Sequence, residues 1–132
     1  MTKVVVTRTC RVSVNEMWER VGDFHGIHTW HPAIASCESR EGGVVRVLTV
    51  AGGGEVVETL LDHGDHFYAY RIDESPLPVA DYTAMLRVKE SEPMSCEVEW
   101  EAEFQPAGVG EEEAVDVIRG IFEAGLNALV PR

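Results

Sequence analysis

The sequence predicts an α+β domain in which a curved antiparallel sheet of about seven strands wraps around a long C-terminal helix, with two short helices after the first strand. Short segments with an apolar residue at every second position follow one another between turn residues, as expected of strands joined by hairpins. A final segment has apolar residues at three-and-four spacing, as expected of a helix with one buried face. The length of 132 residues fits a single domain over residues 1–132.

The first strand is predicted over residues 4–14, where apolar residues recur at even positions. Asn15 is a suitable N-cap for a short helix that ends at Gly22. Residues 25–32 form a loop or a second short helix, because Pro32 disfavours helical geometry at the residue before it.

Six further strands are predicted, separated by turns that contain glycine, proline or serine. They cover residues 33–38, 44–50, 55–62, 66–72, 82–88 and 96–104. Residues 51–54 are glycine-rich and supply the positive φ of a hairpin turn; they lack the Lys-Ser/Thr and the helix that follow a phosphate-binding loop. Residues 74–79 are predicted to be irregular, because two prolines cannot donate to a central ladder.

The last strand and the last helix have the clearest patterns. Residues 96–104 alternate apolar residues with four glutamates, so one face of this strand is predicted to be packed and the other solvated. Apolar residues from Ala114 to Leu129 predict an amphipathic helix of about 15–18 residues. Because a strongly curved sheet rarely closes tightly around a helix, we expect a cavity between the two.

Composition limits the possible partners and location. The chain is 45% hydrophobic and 26% charged, as in ordinary globular proteins, and its net charge of -12 argues against nucleic acid or an anionic membrane surface. No apolar stretch approaches the about 18 residues of a membrane helix, and the N-terminal apolar run is too short for a signal peptide, so a cytoplasmic location is predicted. Cys10, Cys37 and Cys96 are odd in number and far apart in sequence, which favours reduced core thiols over a disulfide framework or a zinc site.

Several motifs resemble the SRPBCC superfamily, the START-like or helix-grip proteins, and especially its polyketide cyclase/dehydrase-like bacterial branch. Residues 14–18 (VNEMW), 21–24 (VGDF) and 29–34 (TWHPAI) are similar to the family pattern "VW..V.DF … W.P.V". The glycine-rich hairpin, the tyrosine-rich middle strand and the helix ending in Gly125 and Leu126 also match in position. The resemblance implies the helix-grip fold and a deep pocket for a sterol-, lipid-, polyketide- or hormone-like ligand. It implies no single chemistry, because members include enzymes, carriers, receptors and subunits of assemblies.

A charged pair is predicted on the inner face of the central hairpin. If residues 51–53 form the loop, facing residue numbers sum to 104, so Arg46 faces Glu58 on an otherwise apolar face. A buried charge needs a partner, so the pair either lines the pocket and orients a ligand carbonyl or phenol, or lies at the surface and contributes about 0–1 kcal/mol.

Aromatic residues and one histidine complete the predicted ligand contacts. The three tyrosines Tyr68, Tyr70 and Tyr82 share inward faces of their strands. Trp100 of the last strand and Phe122 of the last helix are predicted to belong to both core and cavity. Trp30 and His31, just before Pro32, are predicted to form an entrance where the histidine can act as general acid or base. Each of them is alternatively a packing residue. The set consists of Trp30, His31, Tyr68, Tyr70, Tyr82, Trp100 and Phe122, together with Arg46 and Glu58.

A metal site or other cofactor is not predicted. His25, His28 and His31 are evenly spaced, but helical steps of about 100° rotate the third well away from the first, and Pro32 disfavours a regular helix here. No spacing matches a zinc motif. His63 and His66 flank a turn and are predicted to be surface residues.

Three functions remain open at this point. The first is binding of a small, largely hydrophobic molecule, polyketide-, lipid- or aromatic-like, between sheet and helix. The second is a cyclase/dehydratase-type enzyme that uses proximity and general acid–base catalysis. The third is an interaction subunit whose acidic face, from Glu97 to Glu103, meets a basic partner. A homodimer is compatible with all three.

Overall fold

A computed structural model describes residues 1–130 of the protein. Within these residues, seven strands form one antiparallel sheet in the order β1-β7-β6-β5-β4-β3-β2. The strands are β1 (Thr2–Cys10), β2 (Ile34–Arg40), β3 (Val45–Val50), β4 (Glu55–Gly64), β5 (Phe67–Glu74), β6 (Val79–Glu90) and β7 (Cys96–Pro106). The helices are α1 (Val14–Val21) and α2 (Glu111–Asn127), with single 3-10 turns at Ile27–Thr29 and Glu41–Gly43.

The topology places the long helix across the sheet. Strands β2 to β7 each pair with the next, and β1 returns to pair with β7 from Thr2↔Phe104 to Cys10↔Cys96. Helix α2 follows β7 and packs on β1 and β7. Its buried residues recur at helical spacing: Ala114, Ile118, Phe122, Gly125 and Leu126. The predicted helix-grip architecture is therefore confirmed, with a single 3-10 turn in the place of the second short helix.

The predicted start of the first helix is wrong. Strand β1 ends at Cys10, and Ser13, not Asn15, caps α1 by accepting a hydrogen bond from the Glu16 N–H at 3.1 Å. Ser13 and Glu16 have the Ser-x-x-Glu spacing of a capping box, which the alternating pattern of the preceding strand obscured.

The predicted irregular segment between β5 and β6 is shorter than expected. Strand β6 begins at Val79, which pairs with Pro106, so only residues 75–78 lie outside the ladder. A bulge between Ala80 and Thr83, with Asp81 at a φ of 52°, lets the strand resume immediately after the second proline.

No helix within residues 1–130 combines the length and the apolar character needed to cross a bilayer.

Candidate functional site

A cavity of about 130 Å³ lies between α2 and the inner face of the sheet. Its walls are mainly apolar side chains of the sheet, of α2 and of the segment before β2, and loop residues Gly53, Pro76 and Leu77 complete it. The walls include Leu48, Val56, Ile72, Ile118, Ile121 and Ile27. An apolar cavity of about 150 Å³ is sufficient to hold benzene, so this cavity has room for about one aromatic ring.

Most predicted contact residues line this cavity. They are His31, Arg46, Glu58, Tyr70, Tyr82, Trp100 and Phe122. Trp30 and Tyr68 are buried but lie behind the lining. The ring of Trp30 packs on those of His31 and Trp100 at centroid distances of 5.8 and 5.7 Å, and Tyr68 packs on Phe24 at 5.4 Å. The two are thus second-layer aromatics that support the lining residues.

The charged pair lies at the sheet side of the cavity in the predicted register, with Arg46 directly opposite Glu58. Arg46 Nε donates to Glu58 Oε1 at 2.7 Å, and the two residues are 0% and 5% exposed. Arg46 Nη1 donates to the Phe24 carbonyl at 2.7 Å. Arg46 Nη2 and the Tyr68 hydroxyl have no hydrogen-bond partner among residues 1–130. The cavity therefore borders a buried ion pair, and one donor nitrogen of Arg46 has no partner in the described part of the chain.

Aromatic rings surround the Arg46 guanidinium, which lies 4.1 Å from the ring centroid of Phe24 and 4.8 Å from that of Tyr70. Burial by itself lowers the pKa of Arg46, but the Glu58 carboxylate, Tyr68 and Tyr70 together outweigh this effect and the pKa is raised, so Arg46 remains charged. Burial raises the pKa values of Tyr70 and Tyr82, which are therefore neutral phenols able to donate a hydrogen bond.

His31 connects the segment before β2 to the long helix. Its Nδ1 accepts from the Ala33 N–H at 3.1 Å, which leaves the proton on Nε2, and Nε2 donates to the Ile121 carbonyl at 2.8 Å. Burial lowers the pKa of His31, and Arg46 acts in the same direction. His31 is therefore a neutral side chain with both ring nitrogens hydrogen-bonded rather than a free general base. We call the contact of His31 with Ala33 and Ile121 the His31 clamp.

The clamp depends on Gly125. A Cβ at this position would lie 2.5 Å from Cδ2 of His31 and 3.0 Å from Cζ3 of Trp100. Trp100 in turn stacks on Phe122 with centroids 4.3 Å apart and donates from Nε1 to the Tyr70 hydroxyl at 3.0 Å. A glycine inside a helix is unfavourable by about 1 kcal/mol relative to alanine, and here it permits the close approach of two rings.

The described part of the chain, residues 1–130, contains no group of three His, Cys, Asp or Glu side chains placed to hold a metal ion. His25 Nε2 lies 2.7 Å from the Gly43 carbonyl oxygen, and His28 is exposed. His63 is exposed as predicted, whereas His66 is half-buried, because its ring packs edge-on against Trp18 at 6.0 Å.

The acidic outer face of β7 is partly neutralised within the sheet. Arg87 of β6 bridges Glu101 at 2.9 Å and Glu99 at 3.3 Å. Lys89 bridges Glu99 at 3.2 Å. Glu99 and Glu101 therefore have basic partners on the adjacent strand, a cross-strand pattern that the alternation in β7 alone does not reveal.

Comparison with known proteins assigns the chain to a family. The sequence model of a family described as "polyketide cyclase / dehydrase and lipid transport" matches residues 1–132. The chain belongs to this family. No curated protein matches the sequence.

Several solved structures are similar to this chain over nearly its whole length. The protein XoxI from Bacillus cereus has a TM-score of 0.96 and 34% identity, with 98% of this chain and 93% of that chain covered. A START superfamily protein from Mycobacterium smegmatis has a TM-score of 0.81 and 15% identity, covering 96% and 93%. The Zhui aromatase/cyclase from Streptomyces sp. R1128 has a TM-score of 0.77 and 21% identity, covering 97% and 90%. The last two are similar in fold alone.

Proposed function

We propose that this protein binds a small, neutral, largely apolar molecule, about one ring in size, in the cavity between α2 and the sheet. The observation that carries the proposal is the cavity itself: about 130 Å³ of space with mainly apolar walls, beside a single buried ion pair. Ligand pockets commonly combine apolar walls with a few well-placed polar groups that fix orientation. Membership of a family described by cyclase, dehydrase and lipid-transport activities supports the same function.

The ion pair defines the preferred polar group of the ligand. Arg46 borders the cavity and its Nη2 has no partner among residues 1–130, so a carbonyl or hydroxyl oxygen of the ligand is a suitable acceptor. Glu58 already balances the charge of Arg46. A carboxylate ligand would therefore add an uncompensated negative charge to a buried, mainly apolar site, which favours a neutral ligand.

The enzymatic alternative has less support than binding. A cyclase or dehydratase needs a group that exchanges protons near neutral pH within reach of the substrate. Both nitrogens of His31 are engaged, and burial raises the pKa values of Tyr70 and Tyr82 away from neutrality. Space for about one ring also limits how far a long, flexible substrate can fold inside.

The interaction-subunit alternative predicts a filled interior and a free acidic face. The cavity beside Phe122 and the bridges from Arg87 and Lys89 to the outer glutamates both argue for a ligand-binding role instead.

Binding is tested by isothermal titration calorimetry with two matched pairs of probes. Phenol and toluene have nearly the same shape, and the single extra hydrogen bond of phenol is expected to tighten binding by about 2- to 10-fold. Benzamide and benzoate differ mainly in charge, and benzamide is expected to bind at least about 10-fold more tightly. If none of the four probes binds, the proposed function is wrong.

A pair of variants on one strand controls for the location of binding. Val56 lines the cavity, and its neighbour Val57 lies on the opposite face of β4, so Val56→Phe fills the cavity and Val57→Phe adds the same volume outside it. We expect Val56→Phe to abolish binding of phenol and Val57→Phe to preserve it. Equal binding by both variants would place the probe elsewhere.

A further inference from the structure

Two cysteines that are far apart in the sequence lie directly opposite each other on two adjacent strands. Cys10 is the last residue of β1, Cys96 is the first residue of β7, and the register makes them direct partners. Both are free thiols on the inner face, 1% and 0% exposed. Neither residue borders the cavity, so the pair is separate from the proposed ligand site.

The backbone positions of the two cysteines meet the distance requirement of a disulfide. Directly opposed residues of antiparallel strands have Cα atoms about 4.5–5.5 Å apart and project their side chains from the same face. Disulfides bridge Cα distances of about 4.4–6.8 Å. The Cα separation expected of this directly opposed pair therefore falls within the range that a disulfide bridges. Cys37 lies on β2 at the opposite edge of the sheet and cannot reach either thiol.

We propose that Cys10 and Cys96 form a reversible disulfide, which makes the junction of β1 and β7 a redox-sensitive site. The oxidant is a low-molecular-weight disulfide such as glutathione disulfide. A thiolate of the pair attacks one sulfur of the oxidant and releases one glutathione thiolate, and the second cysteine then displaces the other. The two protein thiols lose two protons and two electrons in total, and glutathione disulfide is reduced to two glutathione thiols.

The reaction proceeds through local opening at the strand ends, because both thiols are buried in the folded chain. Burial also raises the pKa values of both thiols, and the charge of Arg20 opposes this effect at Cys10. Ser95 Oγ donates to the Cys10 carbonyl at 3.1 Å, and Met94 in the same turn has a φ of 63°. Because both cysteines stand at strand ends beside this turn, opening of the turn alone would expose the pair without unfolding the sheet.

The test measures the equilibrium of the bond in the whole chain carrying Cys37→Ser, which removes intermolecular exchange. The protein is refolded in buffers of reduced and oxidised glutathione, so slow access to buried thiols does not limit the result. A parallel series is equilibrated in concentrated urea. Free thiols are then alkylated with iodoacetamide and the species are separated by mass spectrometry.

We expect a monomer that carries the internal disulfide, is not alkylated and is about 2 Da lighter than the reduced, unalkylated chain. The equilibrium constant for forming this disulfide is expected to be on the order of 100-fold larger in the folded protein than in urea. An equal or smaller constant in the folded protein would overturn the proposal, as would mixed glutathione adducts in place of the internal bond. Cys10→Ala and Cys96→Ala each leave one member of the pair and are expected to give no lighter species. The same measurement on the unsubstituted protein is the second test, and there Cys37 is expected to be the one thiol that is alkylated after oxidation.

Discussion

Replacement of Glu58 by leucine leaves the Arg46 guanidinium buried without its counter-charge. Arg46 is 0% exposed and Glu58 is 5% exposed, and the bond between them is 2.7 Å long. Removing one partner of such a pair typically costs about 3–5 kcal/mol, because the remaining charge has neither solvent nor a partner. We therefore expect Glu58→Leu to lower the free energy of unfolding by about 3–5 kcal/mol, a large part of the about 5–15 kcal/mol typical of a domain.

A double variant measures the interaction between Arg46 and Glu58 apart from the other contacts that each residue makes. Arg46→Met alone leaves the Glu58 carboxylate buried and also removes the donor to the Phe24 carbonyl. In Arg46→Met/Glu58→Leu both charges are gone, and only the unsatisfied carbonyl remains, at a cost of about 1–3 kcal/mol. The double variant is thus expected to be more stable than either single variant, which gives a coupling free energy of several kcal/mol between the two sites.

Equilibrium unfolding in urea, followed by tryptophan fluorescence and circular dichroism, measures these values. Glu101→Leu is the matched control, because Arg87 reaches Glu101 at 2.9 Å with side chains 34% and 22% exposed, and its loss is expected to cost about 0–1 kcal/mol. If Glu58→Leu costs no more than Glu101→Leu, or if its cost falls sharply with added salt, the pair is hydrated and the reasoning fails.

Three further changes test the contacts around the clamp. Gly125→Ala is expected to lower the free energy of unfolding by about 1–3 kcal/mol, because the added Cβ would overlap His31. Gly120→Ala, on the open side of α2, is expected to raise the free energy of unfolding by up to about 1 kcal/mol. Similar urea midpoints for both variants would contradict the close contact at Gly125. Burial lowers the pKa of His31, so on acidification the unfolded chain is protonated at this residue before the folded chain. The free energy of unfolding should therefore fall by up to about 1.4 kcal/mol per pH unit as the pH drops below about 6.5. His31→Gln should remove this part of the slope, and an unchanged slope would assign it to other groups. Trp100→Phe removes the donor to the Tyr70 hydroxyl, so a loss of about 1–3 kcal/mol is expected in the same unfolding assay, and no loss would show that this bond contributes nothing.

Local features of the site are predictable from sequence, since they depend on neighbouring residues. The loop at residues 51–53 fixes the register of β3 and β4, and that register alone places Arg46 opposite Glu58. The period of α2 likewise fixes Phe122 on its buried face. In both cases the relevant period or turn length is contained in fewer than about 20 residues.

Features that join distant segments are not predictable in this way. Alternation marks β1 and β7 as strands but does not say that they pair, so the contact between Cys10 and Cys96 is invisible before the topology is known. The same limit explains why Tyr68 lies behind the lining while Tyr70 lies in it: both face inward, and the depth of each depends on which rings and helices pack over it. The resemblance to helix-grip proteins supplied the topology that the periodicity lacks.

The size and the polarity of the cavity are set by separate elements. Helix α2 contributes the apolar wall through Ile118, Ile121 and Phe122, whereas β3 and β4 contribute Arg46 and Glu58. The contacts of His31 with Ile121 and Gly125 contribute to holding α2 on the sheet, and they involve neither Arg46 nor Glu58. A change at Phe122 therefore alters the space available to a ligand, and a change at Glu58 alters the charge that it meets. If the proposed binding is correct, changes at these two positions would let one fold accept chemically different ligands, in keeping with a family whose description names both transport and cyclase activities.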